Sequence, residues 1–341
     1  MVRKNLGMAL SIVLTIFMVF GSVVSPLSGV NVYAAGVSVY IDGVNGNDSN
    51  DGSSAGKAVK SWDKARTLLG TKEGTIFVAG TVTADGNINT QASDKQSVKR
   101  ADGFTGVMFE VPNAATATFY NIDVDGEDKH IDVEVVKPNE NSTVNYLSGA
   151  VFHDIGYYEG SQNKPNNTNG GRVSSLEQGV TILIDGATFR DNDGKGIFFT
   201  PLPPSSGVAG KANVTLTMKS GKVTGNKGYF YHNEATTQSN VIKIYNALIR
   251  NNDASKTPER YTDYKGRTAA VYVCDMGIQR IRSVDGAAIF DNSNYDVMQE
   301  YRDSGQGAGL QFQGEDDPKG THIMLGGGNP NWGSLTEVAN N

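Results

Sequence analysis

The stretch Arg190-Asp191-Asn192-Asp193-Gly194-Lys195-Gly196 puts two carboxylates and an amine on alternate positions. In an extended segment, residues i and i+2 share a face. Asp191 and Asp193 can therefore present oxygens to a single Ca²⁺ ion, a cation that prefers such hard ligands. Lys195 follows on the same alternation. The same residues also read as a corner, because Asn192-Asp193-Gly194 has turn chemistry. A second stretch, Tyr229-Phe230-Tyr231-His232-Asn233-Glu234, alternates aromatics. With Phe230 inward, Tyr229 and Tyr231 face out together and suit stacking on sugar rings. They suit a buried role equally well. His232 and Glu234 form either an acid/base pair or a solvated pair. Arg190 and Arg250 recur at one position of a repeated phrase and point outward there, ready for anionic sugars or simply solvated.

That phrase organises the chain. It occurs as GATFRDN from Gly186, GAVFHDI from Gly149, GKVTGNK from Gly221, NALIRNN from Asn246 and GAAIFDN from Gly286. The fourth residue of each is Phe152, Phe189, Thr224, Ile249 or Ile289. The sixth is Asp154, Asp191, Asn226, Asn251 or Asp291. An alternating strand precedes each copy. A strand–turn–strand unit of this size cannot bury its apolar face alone, but stacked on its neighbours it encloses a continuous core. Each strand then pairs in parallel with its counterpart in the next coil. The recurring Asp/Asn turns the same corner every time, because both residues tolerate a left-handed backbone and bond nearby backbone groups. It is expected to stack as a ladder.

Ahead of the repeats, Ala58, Trp62, Ala65, Leu68 and Leu69 recur at helical spacing, with Ser61 and Asp63 available near the start. Val37–Ile41 and Thr75–Ala84 read as strands flanking this one helix. The opening VYIDGVNGNDSNDGSSAGKAVKSWDKARTLL, the following GTIFVAGTV, and the later DGATFRDNDGKGIFF and SGKVTGNKGYFY resemble secreted right-handed parallel β-helix proteins of the pectate-lyase-like class. The resemblance covers most of residues 37–335. It implies a single right-handed parallel β-helix over 75–341 behind a strand–helix cap at 35–74. The class contains lyases, hydrolases, esterases and non-catalytic adhesins, and fold alone does not choose among them. For a lyase, the resemblance implies that Ca²⁺ on Asp191 and Asp193 acidifies the α-proton of a uronic acid, with Lys195 or Arg190 as base. For a binding protein no cofactor is required, and Tyr229, Tyr231, His232 and Arg250 become substrate-binding candidates. A hydrolase of this class would carry clustered aspartates with a Gly-His-Gly-like partner, and no such histidine occurs.

Composition narrows the setting. Residues 1–34 hold Arg3 and Lys4, an uncharged apolar run from Leu6 to Val24, and Val32-Tyr33-Ala34. They read as a secretory signal cut after Ala34. Removing them takes away two positive charges and shifts the net charge from −6 to −8. An acidic chain without a basic run does not suit nucleic acid. No later stretch is apolar enough to cross a membrane. The lone Cys274 lies in the apolar run AAVYVCDM and reads as a buried inert thiol. Asn45–Gly52 resembles a calcium loop but lacks the closing Glu of an EF-hand, so Asx turns are expected. Asp123–Asp128 and Gly314–Gly320 also offer oxygens to Ca²⁺, but solvated turns are expected there. His130, His153 and His322 show no metal-ligand spacing. Four insertions, Gly156–Gly179, Thr200–Lys211, Asp253–Thr268 and Ser293–Gln306, are expected to wall a groove along one lateral face. The chain is expected to be a monomer, secreted or at the cell surface, and the front of a longer surface protein. It would bind a polysaccharide or glycosylated surface, or alternatively degrade a uronic-acid glycan.

Overall fold

A computed structural model of the chain describes residues 36–129, 131, 133–156, 171–192, 196–200, 213–227 and 229–233, and beyond them the strands from Val241–Arg250 to Thr336–Ala339. The expected signal segment lies outside the described residues, and Gly36–Asn341 forms one compact unit.

The unit is a parallel β-helix. The coils contribute strands to three faces. The first face stacks Gly86–Ile88, Thr116–Phe119, Thr143–Leu147 and the leading halves of Thr181–Arg190, Thr215–Thr224 and Val241–Arg250. The second stacks Val37–Asp42, Gly74–Gly80, Gln96–Arg100, Ile122–Asp125, Ala150–His153, the trailing halves of those three long strands, and Ile289–Asp291. The third begins with Val82–Thr83, Phe109–Val111 and Val136–Pro138. It continues with Arg172–Ser175, Gly196–Thr200, Tyr229–Asn233, Ala269–Cys274, Tyr295–Tyr301 and His322–Gly327. Pairing is parallel throughout these faces, and Thr336–Ala339 adds one antiparallel strand at the end. The coil therefore has a strand more than the repeated phrase implies. Two of the expected insertions contain third-face strands, Arg172–Ser175 and Tyr295–Tyr301.

The interior is filled by rings that touch from coil to coil. Phe109, Phe119, Tyr146, Phe152, Phe189 and Phe198 are fully buried. Successive centroids are 5.3–5.8 Å apart, for instance Phe109–Phe119 5.3 Å and Phe119–Phe152 5.8 Å. Edge-to-face and offset contacts at these distances suit the ring quadrupole. The one polar tip among them, the Tyr146 hydroxyl, lies 3.2 Å from Ser174 Oγ. Burial pushes that phenol's pKa up.

The cap forms as its spacing requires. Helix α1, Trp62–Leu69, buries Trp62, Ala65 and Leu69. The Ser61 side chain accepts from the Lys64 N–H at 3.3 Å, which satisfies a first-turn donor. Asp48 Oδ1 accepts the Lys60 and Ser61 N–H groups, each at 2.8 Å. These bonds, the Ser61 N–H first, hold the Asp48 carboxyl below its ordinary pKa. Trp62 Nε1 donates to Asn89 O at 3.1 Å, and its ring meets Phe109 edge-on at 5.6 Å. The Asn45–Gly52 region is built from Asx turns. Asp42 Oδ1 accepts from Val44 and Asn45, and Asn47 Oδ1 accepts from Ser49.

Candidate functional site on the second face

The register of the second face fixes which side chains line up. Ile76, Val98, Val124, Phe152, Phe189 and Val223 form one inward column, continued in the backbone register by Ile249 and Phe290. The repeated phrase thus aligns on Phe189, Val223, Ile249 and Phe290. The phrases anchored at Gly221 and Gly286 move by one residue relative to the sequence alignment. Next to this column, Tyr40, Phe77, Lys99, Asp125, His153, Arg190 and Thr224 follow one another along the outer surface.

Tyr40 and Phe77 stack at 5.1 Å with an interplanar angle of 23°. The charged part of the column is a network. Lys99 Nζ lies 2.8 Å from Asp125 Oδ2 and 3.3 Å from Glu127 Oε1. Burial alone would lower the lysine's pKa, but Asp125 and Glu127 raise it. Burial likewise opposes ionisation of Asp125, and the Lys99 ammonium and Glu127 N–H override it, so its pKa falls. Lys129 Nζ lies 2.7 Å from Glu127 Oε2. One coil on, His153 is only 7 % exposed. Its Nδ1 is 2.6 Å from Asp154 Oδ2. Its Nε2 is 3.1 Å from Asp123 Oδ1, inside ion-pair reach but without an aligned hydrogen bond. Burial would push the imidazole down, and the Asp123 and Asp154 carboxylates outweigh it and push it up. Ligand atoms of Asp125, His153 and Asp154 lie within 4.8 Å of one another.

Two kinds of residue make the corner. Asp154 and Asp191 adopt left-handed backbone at φ 52° and 54°, as expected of an Asx corner, and Gly225 takes the place at φ 69°. The stacked ladder, however, is formed by the next residue. Asn192 Nδ2 donates to Asn226 Oδ1 at 2.8 Å and to Phe152 O at 3.2 Å. Asn192 Oδ1 accepts the Ile155 N–H at 3.1 Å. Asn226 Nδ2 donates to Phe189 O at 3.1 Å. Asn192 and Asn226 are buried. Asp191 stays exposed because its carboxylate, an acceptor only, could not serve both sides of such a ladder.

Of the residues singled out in the sequence, Arg190 faces outward, and its guanidinium meets Asp191 at 2.8 Å. That contact raises the Arg190 pKa and holds its proton more firmly, the reverse of what a base requires. Asp193 and Lys195 lie outside the described residues. For Tyr229, His232 and Arg250 only the strand backbone is described. Arg250 shares the outer column with Arg190, through Thr224. Tyr231 pairs with Phe198 and Val271 and is fully buried, as is Phe230 at 1 %. Tyr231 therefore lies within the interior instead of offering a platform. Sequence spacing does not bring Asp123, Asp125 and His153 together. Asp123 and Asp125 alternate in a strand, and His153-Asp154 occupies the corner of the next coil.

A separate cleft of about 790 Å³ lies beside the cap, lined by Asp48, Asp63, Arg66, Asp85, Asn87 and Tyr120 among others. Among the described residues no helix is long and apolar enough to cross a membrane. No family model, curated protein or solved structure matches this chain.

Proposed function

We propose that the protein is a secreted or cell-surface binding protein of the pectate-lyase-like β-helix kind, and that its second face takes an extended extracellular glycan. The observation that supports this reading is the outer column itself. A stacked pair, Tyr40 and Phe77, is followed by a row of charged and hydroxyl groups, one per coil. Parallel strands repeat about every 4.8 Å. Such a row offers a chain-like ligand a fresh hydrogen-bonding partner at each step, on a support that does not rearrange. Half-exposed rings bind the apolar faces of sugars, and mixed-sign charges discriminate among uronic, amino and neutral sugars.

Retention on immobilised glycans tests it. The protein is expected to be held by at least one extracellular polysaccharide, and Phe77→Ala is expected to weaken retention by about tenfold, roughly 1.4 kcal/mol. Wild-type retention on none of a broad panel, or undiminished retention of Phe77→Ala, would remove the reading. The lyase alternative is read in the same samples, with and without Ca²⁺, from the ultraviolet absorbance of unsaturated uronic products. A Ca²⁺-dependent rise would replace binding by cleavage.

A further inference from the structure

We infer that the His153 corner is a divalent-metal site of the zinc and nickel class, with Asp125, His153 and Asp154 as ligands and Asp123 holding the imidazole from its other edge. The inference goes beyond the glycan reading and does not depend on it.

Three observations carry it. First, one imidazole nitrogen and one carboxylate oxygen from each of Asp125 and Asp154 already lie within 4.8 Å of one another. Ligands around a tetrahedral ion with bonds of about 2.1 Å are about 3.4 Å apart, so a change of side-chain torsions of ordinary size closes the set. The backbones bearing them are fixed. Asp125 and His153 are register partners in adjacent parallel strands, and Asp154 follows His153 directly.

Second, His153 is 7 % exposed and its Nε2 has no aligned hydrogen bond, although Asp123 Oδ1 is 3.1 Å away. A carboxylate behind one ring nitrogen is the arrangement that fixes the tautomer of a metal-bound histidine and makes its other nitrogen a better donor. With the Nε2 proton directed at Asp123, Nδ1 presents a lone pair to Asp154 Oδ2 at 2.6 Å. Two acceptors that close require a positive centre between them. A proton shared between Nδ1 and Oδ2 would supply it. A metal ion supplies it equally well as the pair opens, and the displaced Nδ1 proton passes to solvent.

Third, the surroundings are acidic. Among the described residues, Asp123 and Asp154 pair with His153, while Asp125, Glu127 and Asp191 pair with Lys99, Lys129 and Arg190. Lys99 is the internal competitor, 2.8 Å from Asp125, yet it has Glu127 at 3.3 Å as a second partner when Asp125 turns to an ion. Imidazole with carboxylate selects zinc, nickel or copper over calcium and magnesium, which favour oxygen alone. Three protein ligands leave a further position for water or for a ligand group.

The test uses the purified protein stripped with chelator and titrated with Zn²⁺ by calorimetry, and with Co²⁺ by visible absorption. One equivalent is expected to bind. His153→Gln and Asp154→Asn are each expected to weaken binding by more than tenfold, and Asp123→Asn by about tenfold. Lys99→Met is expected to tighten it severalfold, because it removes the competing cation. Replacing His130, His232 and His322 by Gln together is expected to leave the stoichiometry at one. Absence of stoichiometric binding to wild type overturns the site. So does unchanged binding in the His153 and Asp154 variants, or loss of binding in the triple variant. Should His153→Gln fail to fold, Lys99→Met decides alone, since an unchanged or weakened affinity there also overturns the site.

Discussion

Two stacks run through the same corner of the coil, on either side of the backbone. Outside stand Lys99, Asp125, His153 and Arg190, which meet one another and their neighbours through ion pairs of 2.6–3.3 Å. Inside stand Asn192 and Asn226, joined by amide hydrogen bonds of 2.8–3.1 Å. The buried stack must satisfy backbone N–H and C=O groups at once, so it needs a side chain that donates and accepts, without charge. The outer stack pairs its charges with one another, so its residue types change from coil to coil. One stack is constrained by the fold. The other is free of that constraint.

The largest test of this contrast is Asn192→Ala. It strips partners from the Ile155 N–H, the Phe152 carbonyl and the Asn226 amide. Buried unsatisfied groups cost about 1–3 kcal/mol each, so a loss of about 3 kcal/mol is expected in denaturant melts. Equal stability would mean that the ladder is incidental. Gly225→Ala comes next. The left-handed backbone at φ 69° costs an L-residue about 1–2 kcal/mol, and an added Cβ meets Asp191 Oδ1. Gly225→Asn should cost less, since Asp191 and Asp154 hold the same conformation one and two coils away. Smaller again is the cap. The Asp48 pKa is depressed in the fold, so its stabilisation is present above the ordinary carboxyl value near 3.9 and is lost as pH falls through the depressed one. Asp48→Ala should lower the melting temperature at pH 7, with the gap to wild type closing as pH falls below about 4. A gap independent of pH would show that the carboxylate's charge is not the source. The smallest effect is expected for Arg190→Gln. Its exposed pair with Asp191 is worth at most about 0.5 kcal/mol, and thermal melts should barely move.

Much of this architecture is visible in the residues. Apolar positions at helical spacing place the cap helix, and the recurring Phe/Ile with Asp/Asn marks the coils. The phase slips by one at Gly221 and Gly286 because glycine was expected to open the phrase. Ser220 and Asn246 pair across adjacent coils at the same bend. Third-face strands such as Arg172–Ser175 are hidden because they are short and buried on both sides, with no alternation to read. Tyr231 joins the interior for the same reason. His153 escapes notice because its partners Asp123 and Asp125 belong to the previous coil. Only the parallel register, which pairs His153 with Asp125, brings them together.

The bend between the first two faces has a further consequence. Thr143 pairs with Thr116 and Thr181 on the first face, while Ala150 pairs with Ile122 and Val151 with Thr188 on the second. Coils with different numbers of residues at the bend thus keep both faces in step, and the register shifts at Leu147, which meets both Asp185 and Gly186. Insertions and deletions there are absorbed locally, with no frame error passed down the stack. A lineage could lengthen, shorten or splice such a chain one coil at a time, and each new coil would inherit its alignment from the one before.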